Sequence, residues 1–160
     1  MKLFEKLVAA LHRGVSVFQA MLMGILLVMV VYQVASRWLP LFPRAIWTEE
    51  ISRFLLVWVI FLGGAIGVRE RTHFVLEILG EHRSRIVNIV WQSFILLMEI
   101  AFCAIFFFRG LPYAEVLRWD VSDISEVSML WVGAAIPAFG GLSLIFLAEI
   151  VIKKIRKGAR

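Results

Sequence analysis

Three charged residues stand where a long apolar run begins, and their spacing favours ion pairing. Glu49 and Glu50 open the segment 47–68, and Arg53 follows them four and three residues later. On a helix, both spacings bring side chains together on one face. A charge at the edge of an apolar layer is costly unless it is paired. The sequence therefore predicts one cluster of Glu49, Glu50 and Arg53 at this helix end.

Glu99 is a further charged residue and lies inside the third apolar run. Asn88 and Gln92 share its helical face, so we expect this polar stripe to face other helices rather than lipid. One interpretation is a proton-coupling carboxylate. The other is a structural partner for Arg53, because the depths of the two residues differ by only about 3 Å at 1.5 Å per residue. We favour the Arg53–Glu99 pair, shared with the two acids that precede Arg53.

Residues that could support catalysis or hold a cofactor are sparse. His73 and Glu77 could supply two metal ligands, but a structural zinc site needs four, and we expect a polar pair on an interfacial helix instead. His12, His73 and His82 all fall outside the apolar runs, which disfavours a haem site. No nucleophile arrangement, phosphate-binding motif or zinc-protease motif is present. The sequence therefore predicts no enzymatic activity, no catalytic residue, no metal and no cofactor.

Four apolar runs are the elements that must position these residues. The chain of 160 residues is 61% hydrophobic and only 18% charged, which is too apolar for a soluble domain. Its net charge of +5 does not indicate a nucleic-acid partner, because the basic residues cluster at the ends of the runs. About 20 residues suffice to cross a bilayer. We predict an all-α integral membrane protein, one domain over residues 1–160, with four transmembrane helices at 15–35, 49–68, 86–108 and 127–152.

The distribution of basic residues predicts the orientation of these helices. Of the 17 Lys and Arg residues, twelve lie in the N-terminal segment, the second connection and the tail, and four lie in the first and third connections. The positive-inside rule then places both termini in the cytoplasm. Residues 1–13 alternate apolar and charged positions at helical spacing, which predicts a short amphipathic helix on the surface of the lipid bilayer.

Local patterns predict how the spanning helices pack. Gly63 and Gly67 leave a patch without side chains, where another helix can approach closely. Pro137 predicts a kink within the fourth span. Glu149 precedes Lys153 by four residues, which is the favourable order for a helical ion pair.

A longer motif carries a resemblance to a known family. It reads Trp47-Thr-Glu-Glu-x-Ser-Arg-Phe-Leu-x-x-Trp58-x-x-Phe61-x-Gly63, and Arg69 and His73-x-x-x-Glu77 follow it. This order of charges, aromatics, glycine and histidine resembles the DctQ-type small membrane subunit of TRAP (tripartite ATP-independent periplasmic) transporters. The resemblance extends over the whole chain in length and helix count.

The resemblance implies a function in the bacterial inner membrane. In that family a large membrane subunit holds the substrate and sodium sites, and a soluble periplasmic binding protein delivers the solute. The small subunit is a scaffold for the large one in the sodium-coupled uptake of an organic acid, such as a dicarboxylate, a keto acid or a sugar acid. For Arg69, His73 and Glu77, which begin the cytoplasmic connection, it implies a structural or subunit-contact role.

Two other classes stay open at the level of the sequence. The chain could be an autonomous four-span proton-coupled exporter with Glu99 as its essential acid, or a membrane anchor of an unrelated complex. Small multidrug exporters resemble one another in an acid on the first span, and the first span has none here. Co-purification distinguishes the three hypotheses. A TRAP subunit should elute with a large membrane partner, an exporter as a homo-oligomer, and an anchor with another protein.

Overall fold

Six helical segments make up most of the computed structural model, which describes residues 2–38, 46–70 and 85–158. They are α1 (Lys2–Trp38), α2 (Trp47–Glu70), α3 (Arg85–Val116), a short 3₁₀ turn (Leu117–Trp119), α4 (Leu130–Gly133) and α5 (Ala135–Gly158). Four helical stretches are long and apolar enough to cross a membrane, namely Leu3–Trp38, Trp47–Glu70, Val90–Trp119 and Leu130–Lys154. The predicted all-α, four-span architecture is confirmed.

The first helix differs from its prediction because it is not divided. The amphipathic segment and the first span form one helix of 37 residues, about 55 Å long at 1.5 Å per residue. Gly14 does not interrupt it, and Ser16 Oγ donates a hydrogen bond to the His12 carbonyl at 2.9 Å, as in a regular helix. The amphipathic end is held by α5, since the His12 ring packs against Phe146 at 5.8 Å and Val8 is buried in the core. A separate surface helix was therefore a wrong prediction.

The long helices pack as a row in the order α1, α2, α5, α3. Contacts join α1 to α2, α2 to α5, and α5 to α3. Among the described residues, no Cα of α2 lies within 8 Å of a Cα of α3, and the same holds for α1 and α3. Packed helices have axes 8–10 Å apart, so α2 and α3 do not pack directly against each other. The core lies on both sides of α5 and contains Val8, Ala65, Val68, Cys103, Phe139, Phe146 and Leu147.

The contact between α3 and α5 is a close backbone approach. A Cβ added at Gly140 would lie 2.5 Å from Phe107 N, and one added at Gly133 would lie 3.2 Å from Ala114 Cα. Gly140 accepts only glycine, because a real Cβ essentially never comes so near to a backbone atom, whereas a Cβ at Gly133 would require Ala114 to shift by a few tenths of an ångström. α3 therefore runs closely beside α4 and the start of α5 for about two turns.

Proline accounts for the interruption of the fourth span. The regular helix is interrupted at Ala134, between α4 and α5. Pro137 has no N–H to donate to the carbonyl of Gly133, and its ring crowds that carbonyl. The interruption lies within one turn of Pro137, where the sequence predicts a kink. The third span ends later than predicted: α3 continues through Pro112 to Val116 rather than stopping near Phe108.

A short hairpin connects α3 to α4. Ser122 N donates to Val127 O at 3.0 Å, Met129 N donates to Asp120 O at 2.9 Å, and Val121 pairs with Ser128 in one isolated bridge. Glu126 takes a positive φ of 53° at the turn. We call the end of the molecule that holds this hairpin and residues 37–38 and 46–50 the loop end. The end that holds residues 2–13, 69–70, 85–90 and 149–158 is the terminal end.

Candidate functional site

At the loop end, the predicted cluster of charges serves to join neighbouring elements. Arg37 Nη2 of α1 lies 2.7 Å from Glu49 Oε1 of α2. Glu50 Oε2 accepts a hydrogen bond from Ser125 N in the hairpin at 2.8 Å. Arg53 is exposed, and its Nε donates to the Glu49 carbonyl of its own helix at 3.4 Å. Glu49 and Glu50 thus point to different neighbours, while Arg53 remains on the surface.

Uncharged groups make further ties at this end. Gln33 Nε2 of α1 donates to the Thr48 carbonyl at 2.9 Å and to Ser52 Oγ at 2.7 Å. Trp58 Nε1 of α2 donates to the Trp131 carbonyl of α4 at 2.9 Å. These hydrogen bonds hold α1 against α2, and α2 against α4, at the loop end.

The predicted Arg53–Glu99 pair is wrong. Glu99 lines a groove together with Gly64 and Val68 of α2, which follow Arg53 by 11 and 15 residues, or about 16–22 Å along the helix. The prediction counted both depths from the helix ends predicted to be cytoplasmic, and it assumed that these ends are level. Glu99 lies about 21 Å from the start of α3 at Arg85, whereas α2 ends only two residues after Val68, so the two ends are not level.

At the terminal end, Glu149 forms the most buried ion pairs of the described residues. Its side chain is 3% exposed and contacts Arg69 Nε of α2 at 3.1 Å and Lys153 Nζ of its own helix at 2.6 Å. The Arg69 guanidinium also lies 5.8 Å from the ring centre of Phe146. The predicted Glu149–Lys153 pair is confirmed, whereas the sequence analysis had placed Arg69 only in a connection. Arg69 and Glu149 each end an apolar run, and that shared position is the signal that could have paired them.

Two further contacts join α1 to this end. His12 Nε2 lies 3.3 Å from Glu70 Oε1 of α2, and Arg156 Nη1 of α5 lies 3.7 Å from Glu5 Oε1. The sequence analysis assigned neither His12 nor Glu5 a role. His73 and Glu77 lie outside the described residues, so their predicted role stays a prediction.

Of the glycine pair in α2, Gly63 faces the first helix of the same chain. A Cβ added at Gly63 would lie 3.4 Å from Gln19 Nε2 of α1, and Gly67 is buried one turn further on. An amide at the end of a flexible side chain can move away. The tighter glycine contacts are those between α3 and α5, and the sequence analysis gave them no special weight.

A groove of about 480 Å³ separates α2 from α3. Gly64 and Val68 form one wall, Met98 and Phe102 belong to the other, and Phe139 of α5 forms part of the floor. Its lining is apolar apart from Glu99 and the thiol of Cys103. Within the described ranges, no three His, Cys, Asp or Glu side chains are placed to hold a metal ion.

Comparison with known proteins agrees with this architecture. The family described as DctQ, the DctQ component of tripartite ATP-independent periplasmic transporters, matches residues 26–157. The sialic acid TRAP transporter small permease protein SiaQ of Vibrio cholerae serotype O1 is 24% identical over 128 residues, covering 78% of this chain and 71% of SiaQ. The sialic acid TRAP transporter permease protein SiaT of Haemophilus influenzae is 26% identical over 99 residues, covering 62% of this chain and 16% of SiaT.

The family match covers most of the chain and includes parts of all four membrane-crossing helices. It also contains the loop-end cluster, the groove and the Arg69–Glu149–Lys153 contacts described above. The chain therefore belongs to the DctQ family of small TRAP transporter subunits, as a multi-pass protein of the bacterial inner membrane and not an enzyme.

Proposed function

We propose that the chain is the scaffold subunit of a sodium-coupled transporter that takes up an organic acid delivered by a periplasmic binding protein. One observation carries this proposal: four of the five ion-pair contacts that the structure describes join different helices of the chain. Arg37–Glu49 ties α1 to α2, and Arg69–Glu149 ties α2 to α5. Ion pairs between helices suit a scaffold that keeps its shape while another subunit moves.

The partner that we propose is the large permease subunit. Only 16% of SiaT corresponds to this chain, so the similar region there belongs to a much longer permease polypeptide. Because the matching family is described as one component of the transporter, we infer that the rest of the permease is a separate subunit. Family membership also weakens the case for an autonomous exporter and for an anchor of an unrelated complex.

We further propose that the terminal end lies in the cytoplasm. Basic residues of all four helices that reach it, namely Lys6, Arg69, Arg85 and Lys153 among others, lie there, as the positive-inside rule requires. The loop end would then face the periplasm and the binding protein. Arg53, exposed at that end beside Glu49, is our candidate for a contact with the large subunit.

Sialic acid is the first solute to test, since both relatives are named as sialic acid TRAP transporter permeases. At 24–26% identity the solute can differ, and the resemblance assigns solute specificity to the other subunits. A panel should therefore include dicarboxylates and keto acids.

Co-purification tests the proposed partner. The tagged chain is expressed with its cognate large permease and extracted in mild detergent, and the ratio of the two proteins is measured. We expect the large permease to elute with the chain in a fixed ratio. Elution of the chain only as a homo-oligomer would support an exporter, and elution with an unrelated membrane protein would support an anchor.

A further inference from the structure

The groove between α2 and α3 is open along the side of the molecule. α5 forms its floor, and the two walls do not touch through their backbones. Phe94, Met98 and Phe102 of α3 line it, and each is about half exposed. These side chains belong to a membrane-crossing stretch, so whatever covers them lies within the bilayer.

Aromatic rings close this groove towards the loop end. The Phe61 ring of α2 lies 6.3 Å from that of Phe106 on α3, and both contact Phe139 of α5, at 5.8 and 5.5 Å. The open part therefore occupies the half of the membrane nearer to the terminal end. A segment entering it would lie beside Gly64, where the wall of α2 has no side chain.

Glu99 gives the groove a chemical preference. A carboxylate has about four lone-pair sites, so Glu99 can accept a hydrogen bond from an occupant of the groove whatever other contact it makes. Acyl chains of lipids offer no donor. A spanning helix can offer a lysine, arginine, histidine or amide side chain, and such groups in membranes are usually paired.

We propose that this groove receives one transmembrane helix of the large permease, with a cationic or amide side chain facing Glu99. The inference rests on the proposed function, and it names the face of the chain that the partner covers. In SiaT, the region similar to this chain is joined to a far longer permease, which supports the large subunit rather than a second copy as the occupant.

Photocross-linking in the assembled complex tests the groove. A photoreactive amino acid is placed at Met98, which lines the groove, or at Leu97, its neighbour on α3. At 100° per residue, Leu97 lies on the opposite side of the helix from the groove-lining residues, and it is 60% exposed. We expect a covalent adduct with the large permease from position 98, at least five-fold more abundant than from position 97.

The identity of the adduct decides between occupants. We expect the adduct from position 98 to map to a transmembrane helix that carries a Lys, Arg, His, Asn or Gln within one turn. An adduct of two small chains, the absence of any protein adduct as expected for lipid, or a partner helix without such a donor would overturn the inference.

A second pair of variants separates this inference from the proposed function. Met98→Trp fills the groove from an exposed position, and Leu97→Trp adds the same ring on the other side of α3. We expect Met98→Trp to lower the yield of large permease at least five-fold, with Leu97→Trp near the wild type and both variants equally helical. If the wild-type chain retains no permease, the proposed function fails. If Met98→Trp retains as much permease as Leu97→Trp, only the groove assignment fails.

Discussion

Glu149 is the residue on which the terminal end depends most. It is nearly inaccessible to solvent, and it forms ion pairs with Arg69 on another helix and with Lys153 on its own. A charge buried in this way is costly without its partner, so removing one member of the pair affects stability far more than a surface pair does.

Glu149→Gln tests this dependence. It should lower the free energy of unfolding by roughly 3–5 kcal/mol, because Arg69 then lacks a counter-charge at a largely buried site. The matched control is Glu5→Gln, which breaks the looser contact with Arg156 and should cost no more than about 1 kcal/mol. Thermal unfolding midpoints of both variants in detergent provide the comparison. Equal losses of stability in the two variants would mean that the buried ion pair contributes no more than the exposed one.

Arg53 gives a contrasting prediction at the same scale. Because its side chain is exposed and bonds only to its own helix in the described structure, Arg53→Ala should change the stability of the isolated chain by no more than about 1 kcal/mol. If Arg53 contacts the large subunit, the same variant should still reduce co-purification. Destabilisation of the chain alone by Arg53→Ala would contradict its surface placement.

The sequence predicts residue contacts only where the backbone geometry is local. Glu149–Lys153 follows from a spacing of four on one helix, and it is confirmed. Arg53–Glu99 required the relative height of two helices, and the ends of α2 and α3 at the terminal end are not level. Arg69–Glu149 joins residues 80 apart, so no spacing on one helix specifies the pair, and only the position of both residues at the ends of apolar runs suggests it.

At the scale of elements, the closest backbone contact that the structure describes lies between α3 and α5. The apolar runs predicted four spans, but they could not predict which glycine faces another backbone. The spacing of Gly63 and Gly67 predicts a packing patch, but Gly140 comes closer to the backbone of another helix. The helix ends were also missed, because a run of apolar residues does not show where regular hydrogen bonding stops.

Gly140→Ala tests how much this contact between α3 and α5 contributes to stability. The new Cβ would lie 2.5 Å from Phe107 N, so the helices must separate, and we expect a loss of about 1–3 kcal/mol or more. Gly24→Ala is the control, since nothing lies within 4 Å of a Cβ there and alanine favours a helix. Unfolding midpoints should fall for Gly140→Ala and hold or rise for Gly24→Ala. A neutral Gly140→Ala would contradict the close approach.

At the scale of the whole molecule, the row of helices leaves two broad apolar faces. The long exposed stretches of α1 and α3 follow from this arrangement, because neither packs against the other. Hydropathy reports that a helix enters the membrane, but it does not distinguish a side that meets lipid from one that meets protein. The row order could therefore not be predicted from the sequence.

Orientation is a prediction at this scale. Alkaline phosphatase, which is active only in the periplasm, is fused after Asp123 in the hairpin or after Gly158 at the end of α5. We expect activity from the first fusion and none from the second, because basic residues concentrate at the terminal end. Activity from the fusion after Gly158 would contradict cytoplasmic termini.

The most direct test of the scaffold function is solute uptake into proteoliposomes under an inward sodium gradient. Vesicles hold this chain alone, the large permease alone or both, and the binding protein and a labelled organic acid are supplied outside. The scaffold account predicts uptake only when both membrane subunits are present, and none with this chain alone. Sodium-driven or proton-driven uptake by this chain without the large permease would contradict it.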